Sequence, residues 1–179
     1  MAVVRRVVEP VSRWRPPAVA TTPYITAAGY RALEAQAKAL WTRRREVVVH
    51  LAAAAAEGDR SENAEYIYRK KELREIDHRL GYLQRRMPTL TVVRSVPDQQ
   101  SRIFFGALVA LEDAQGEVRR LRIVGGDEAD AGRGEISIDA PVARALLGRT
   151  LDDEVTIAGG AGAPQHLVIV NISYPDPSA

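Results

Sequence analysis

Carboxylates recur at every third residue in the stretch EGDRSENAEY, residues 57–66: Asp59, Glu62 and Glu65. In a helix each residue turns about 100°, so Glu62 lies about 60° from Asp59 and Glu65 about a further 60° round. Asp59 and Glu62 can then share one cation, and Glu65 is less well aimed. Hard oxygen ligands of this kind select Mg2+ or Mn2+. The same spacing has a plainer meaning. An Asp at an N-cap with a Glu three residues on is the capping-box pattern, and acids in a first turn suit the helix dipole. Residue types alone leave both readings open. Metal chemistry here also needs help, because two hydrated carboxylates hold Mg2+ weakly and nothing around them fixes a substrate. A site built on them has to be completed by a partner.

The elements that carry these acids follow from the flanking periodicity. Thr26 precedes a long run in which Leu33, Leu40, Val47 and Ala54 repeat every seven residues, with Ala37, Arg44 and Leu51 at +4. Such a pattern is a heptad seam, Thr26 is a fitting N-cap, and Gly58 supplies the stop. A second seam runs from Asp59 to Arg86: Tyr66, Leu73, Leu80 and Met87, with Arg69, Ile76 and Leu83 at +3. Pro88 ends it. Two heptad helices joined by a tight turn fold back on each other. About 28 residues make a rod roughly 40 Å long, and EGDRSENAEY becomes its tip. LAAAAAEG, just before the tip, has almost no side-chain bulk. That follows either from helix propensity or from a need to be slender enough for a narrow channel.

After the polar linker 94–101 the period changes to two. RIFFGALVALED, EVRRLRIVGG, GEISID, DEVTIAGG and QHLVIVNISY read as strands. AQGE is a turn between two of them. APVARALLGR reads as a short helix, with Asp139 as its cap, Pro141 in its first turn and Gly148 at its end. The expected fold class is therefore α+β, with residues 24–93 as an antiparallel coiled-coil hairpin and residues 102–174 as a small α+β domain. Residues 1–23, rich in Arg, Val and Pro, are expected to be an unstructured tail.

Charge is segregated along the chain. Residues 66–86 hold seven Arg or Lys against three acids, whereas residues 102–179 hold seven Arg against twelve acids. A basic first half points to a nucleic acid or a large charged partner. Arg69, Lys70, Lys71 and Arg74 directly behind the tip suit RNA phosphates, although i,i+4 pairs such as Lys71–Glu75 would equally suit a solvated face. The chain has no cysteine, which excludes disulfides and thiolate sites and fits a reducing cytoplasm. No run approaches the ~18 apolar residues of a membrane span. His50, His78 and His166 are scattered, with no ligand set about any of them. AGGAGAP at 158–164 lacks P-loop spacing and reads as a loop.

GDRSENAEY followed by YRKKELREIDHRLGYLQRR closely resembles the bacterial Gre-family transcript cleavage factors. RKKELREID favours the GreB type, while GDEADAGRGEISI is closer to the GreA type. RIFFGALVALED, LRIVGGDEAD and ISIDAPVARALLG resemble the family's second domain, and the likeness spans about residues 23–174. The resemblance implies an FKBP-like second domain that docks on bacterial RNA polymerase, with Ser137, Asp139 and Pro141 as contacts. It implies a hairpin inserted through the polymerase secondary channel to reach the 3′ end of backtracked RNA. Asp59 and Glu62 match the acids that hold a second Mg2+ jointly with the polymerase, so the protein is not an enzyme alone. Arg60, Ser61, Asn63 and Glu65 would orient the tip or touch the transcript. A self-paired hairpin implies a monomer. Two rival readings are a non-catalytic channel-binding regulator and a free-standing helical adaptor or nucleic-acid binder.

Overall fold

The computed structural model describes residues 21–56, 64–157 and 164–176. The expected tail over 1–20, the acids Asp59 and Glu62 with Arg60, Ser61 and Asn63, and most of the 158–164 loop lie outside the described residues.

Strand β1 (Tyr24–Thr26) leads directly into helix α1 (Ala27–Ala56), and helix α2 (Ala64–Arg86) returns alongside it. Gln36 meets Arg79, and further out Arg43 meets Glu72 and Arg44 meets Asp77, so residue numbers rise on one helix as they fall on the other. At about 1.5 Å per residue, the 30 residues of α1 span roughly 45 Å. Leu33, Val47 and Ala54 of the first seam and Ile76, Leu80 and Leu83 of the second are buried. Arg44, the polar member of the first seam, is accommodated by pairing with Asp77 at 2.6 Å. A 3-10 turn, Met87–Thr89, carries Pro88 in its first positions and terminates α2.

Two short strands, β1 and its partner, carry no periodic signal in the sequence. Strand β2 (Thr91–Val93) pairs in parallel with β1, Tyr24 opposite Thr91 and Thr26 opposite Val93. This short ribbon clamps the base of the hairpin, where Ile25, Leu33 and Leu83 form a buried cluster. Residues 94–101 hold neither strand nor helix.

The C-terminal domain is a five-stranded sheet of β3 (Leu108–Asp113), β4 (Val118–Val124), β5 (Glu135–Ser137), β6 (Glu154–Ile157) and β7 (Gln165–Ser173), in the order β5-β4-β3-β7-β6. Only β4 and β5 run parallel. Helix α3 (Pro141–Leu146) covers one face, and Ala143 and Leu146 pack there with Val109, Leu111, Ile123 and Ile169. Strand β3 begins at Leu108, later than the RIFFGALVALED pattern suggests. Only Arg102 in the preceding stretch makes a bridge, to Thr150, and Gly106 turns the chain with φ +87°. The fold class expected from the sequence, a helical hairpin followed by an α+β domain, is the one observed.

Two expectations need correction. Helix α3 is capped by Ala140 without any side-chain bond, although Pro141 does occupy its first turn. Asp139 is instead turned toward Thr22, accepting from its N–H at 2.8 Å and from its hydroxyl. The expected tail boundary at residue 23 also moves. Thr22 is held by Asp139 and by Arg86, whose Nη2 donates to the Thr22 carbonyl at 3.0 Å, and the Pro23 carbonyl accepts from Thr91 N–H at 2.7 Å.

Candidate functional site

The hairpin presents two chemically distinct regions, its outer face near the turn and its base. At the outer end, α1 stops at Ala56 and α2 starts at Ala64. The seven residues between them, 57–63, join the ends of the helices farthest from the C-terminal domain. Asp59 and Glu62 belong to that connection. Glu65 opens α2 and is approached by Arg69 at 3.4 Å.

The four basic residues behind the tip are not equivalent. Arg69 points into the seam, its side chain only 20% exposed, and bonds Glu72 at 3.2 Å. Glu72 also accepts from Arg43 across the hairpin at 2.7 Å. Burial pushes the Glu72 carboxyl up, but the hydrogen bonds from Arg43 and Arg69 outweigh it and hold the group below its usual range. Arg69 is thus a brace between the helices. Lys70, Lys71 and Arg74 face solvent. Lys70 lies over the Tyr66 ring at 5.6 Å, and Lys71 is 76% exposed with Glu75 no closer than 4.0 Å. Exposed Ile67 and Tyr68 adjoin them. Cations beside an exposed ring, here that of Tyr68, suit a single strand of nucleic acid, phosphates on the charges and a base on the ring.

At the base, carboxylates of the GGDEAD stretch reach across from the C-terminal domain. Glu128 accepts from Thr26 N–H at 2.9 Å, from the Thr26 hydroxyl, and from Gly125 N–H at 2.8 Å. The Thr26 hydroxyl oxygen in turn accepts from Gly29 N–H at 2.9 Å, the N-cap bond expected from the sequence. Glu128 therefore orients the residue that starts α1. A Cβ on Gly29 would stand 1.8 Å from a Glu128 oxygen, and one on Gly125 would stand 2.2 Å from the Tyr24 carbonyl oxygen. Both glycines are required by close approach. Asp127 accepts from the Tyr82 hydroxyl and from Arg86 Nε at 2.8 Å, with the Arg86 and Asp127 side chains only 16% and 6% exposed. The bond to Asp127, assisted by burial, pushes the Tyr82 phenol above its usual range. The bond from the Thr22 hydroxyl holds Asp139 below the usual carboxylate range. Pattern reading did not assign Tyr82, Arg86, Asp127 or Glu128 to a joint. The only signal was the GGDEAD motif itself, which looks like a polar turn.

The expected docking residues sit beside this joint. Ser137 Oγ accepts from Asp139 N–H at 3.2 Å, Asp139 faces Thr22, and Pro141 is exposed at the start of α3. His50, His78 and His166 are all exposed, and His166 Nδ1 shares a hydrogen bond with Thr156. Among the described residues no group of three or more His, Asp or Glu is placed to hold a metal ion, and no helix is long and apolar enough to cross a membrane.

Comparison with known proteins agrees with this two-part architecture. Residues 23–92 match the family described as transcription elongation factor, N-terminal, and residues 98–174 match the GreA/GreB C-terminal family. A transcription elongation factor GreB of Xanthomonas axonopodis pv. citri is 56% identical over 166 residues, which is 92% of this chain and 98% of that protein. The chain belongs to the GreA/GreB transcription elongation factors. Its GreB character is supported by a second relative, the GreB of Pseudomonas aeruginosa, 51% identical over the same shares of both chains. A crystal structure of Thermus aquaticus Gfh1 is 25% identical, covering 86% of this chain and 99% of that one, with a TM-score of 0.40. In this GreB-type chain the boundary between the two family matches, 93–97, takes in the last residue of β2 and the strand-free connection after it.

Proposed function

We propose that this GreB-type chain acts on bacterial RNA polymerase, entering the secondary channel with its hairpin and stimulating Mg2+-dependent cleavage of backtracked RNA. One observation carries the reading. GDRSENAEY, which resembles the tip motif of transcript cleavage factors, lies in sequence between two long antiparallel helices, the first of which spans roughly 45 Å. A rod of this kind delivers side chains into a site that it does not itself contain.

In this reading Asp59 and Glu62 supply hard oxygen ligands for a second Mg2+ held jointly with the polymerase. Bound there, the ion lowers the pKa of a coordinated water and offsets charge on the phosphate. The protein's own contribution is to place two carboxylates, with Arg60, Ser61, Asn63 and Glu65 setting their approach. Lys70, Lys71 and Arg74 guide the phosphates of the extruded strand, while Arg69 holds the helices in register behind them. Ser137, Asp139 and Pro141 border the face that docks on the polymerase. Catalysis belongs to the polymerase, and the chain works as a monomer in the cytoplasm.

The test is a backtracked elongation complex carrying 3′-labelled RNA, with cognate polymerase and Mg2+, followed with and without the protein. Accelerated release of fragments several nucleotides long is expected. Release of only di- and trinucleotides would assign the chain to GreA-type behaviour. Binding to polymerase without accelerated release would overturn the cleavage reading in favour of a channel-binding regulator.

A further inference from the structure

Between the base of the hairpin and the C-terminal domain lies a cavity of about 570 Å³, within the roughly 300–1,000 Å³ of small-molecule sites. One wall is α1, presenting the small residues Ala28, Gly29 and Ala32. The opposite wall is β4 with the loop that follows it, presenting Val124, Ala129 and Ala131. Three arginines line the space: Arg79, Arg122 and Arg133.

Their commitments differ. Arg79 donates to Gln36 Oε1 at 2.7 and 3.1 Å and lies over the Tyr82 ring at 5.1 Å. Arg133 bonds Asp130 at 3.2 Å and Glu135 at 2.8 Å. Arg122 Nε is buried and has no hydrogen-bond partner among the described residues. Its backbone is fixed on both sides, opposite Leu108 in β3 and Glu135 in β5, with its N–H bonded to the Gly134 carbonyl at 2.9 Å. The arginine therefore sits on a rigid strand with an unused donor.

Four carboxylates share the cavity, and each is already engaged. Asp127 holds Tyr82 and Arg86, Glu128 holds Thr26 and Gly125, Asp130 holds Gly132 N–H and Arg133, and Glu135 holds Arg133. None is bonded to Arg122. A buried donor without a partner is costly, and a guanidinium is matched best by the two oxygens of a carboxylate or phosphoryl group. We infer that the cavity between α1 and β4 is a binding site for a small molecule bearing one oxyanionic group, held by Arg122. The small residues on both walls leave room for the body of the ligand. The site needs neither the tip nor polymerase, so it stands or falls separately from the cleavage reading.

The full-length protein is titrated with inorganic phosphate and, separately, with acetate, each at an ionic strength matched with chloride. Thermal unfolding and backbone amide shifts are followed. A saturable rise in Tm of about 3 °C is expected at tenfold excess over Kd, with amide shifts concentrated at Gly29, Ala32 and Ala129. Phosphate alone giving the effect identifies a phosphoryl ligand, and acetate alone a carboxylate. Arg122→Gln should abolish the rise and Arg133→Gln should keep it, while Arg122→Lys, charged but without the fork, should weaken it by roughly tenfold. No saturable change beyond chloride, or an equal change in Arg122→Gln, overturns the site. The amide shifts of the unsubstituted protein decide the matter even if a variant fails to fold.

Discussion

The base of the hairpin and its outer half are built on opposite principles. At the base, Asp127, Glu128 and Asp139 bind named partners on the hairpin side, two glycines make way for them, and Ile25 and Leu83 are fully enclosed. In the outer half the seam narrows to Val47, Ala54 and Ile76, while Val49, Ile67 and Tyr68 are more than half exposed. Bulk gives way to alanine over Ala52–Ala56, and cations face outward. The contrast indicates a division of labour. The base fixes the direction of the rod through directional bonds, and the outer half offers a slender charged surface, whose chemistry a partner completes in the function proposed above.

That contrast can be broken by substitution, and unfolding in denaturant should rank the effects. Asp127→Ala removes the carboxylate bonded to buried Arg86, and removing one member of a buried pair costs about 3–5 kcal/mol. Gly125→Ala comes next, at about 3 kcal/mol, because its Cβ meets backbone rather than a movable side chain. Thr26→Ala removes the α1 cap and one Glu128 bond, for about 1 kcal/mol. Lys71→Ala with Arg74→Ala should stay within about 0.5 kcal/mol, yet weaken binding to single-stranded RNA and flatten its salt dependence. Large losses from the outer pair, or none from Asp127→Ala, would remove the distinction.

A smaller effect comes from pH. The Thr22 bonds depress the Asp139 pKa, so their stabilisation is complete above the unfolded-state value of about 3.9. It is lost as pH falls through the lower folded-state value. The Thr22 amide shift should be flat from pH 7 to pH 5 and move only in strongly acidic solution.

Much of the hairpin was legible in the sequence because a heptad seam is a local, periodic signal. Leu33, Val47, Ile76 and Leu80 are buried where the repeat places them. The strands of the second domain were legible for the same reason, through alternation. The joint was not. Asp127 and Glu128 find partners more than forty residues away, and an acid in a Gly-rich turn looks alike whether it faces water or a helix N-terminus. Strands β1 and β2 have three residues each, too short for alternation to register. A cap and a tertiary acceptor have the same residue preference, so the residue type of Asp139 does not separate the two roles. Arg69 was grouped with Lys70 and Lys71 by charge, although its seam position was visible and is what turns it inward.

The central claim, that the outer end acts through acids while the base only aims them, is tested most directly by one paired measurement. Polymerase affinity and the rate of 3′-fragment release from a backtracked complex are measured side by side for Asp59→Ala combined with Glu62→Ala. The account predicts near-unchanged affinity with release slowed by roughly two orders of magnitude or more. Release at the unsubstituted rate, with binding intact, would contradict it and leave Asp59 and Glu62 as a helix cap.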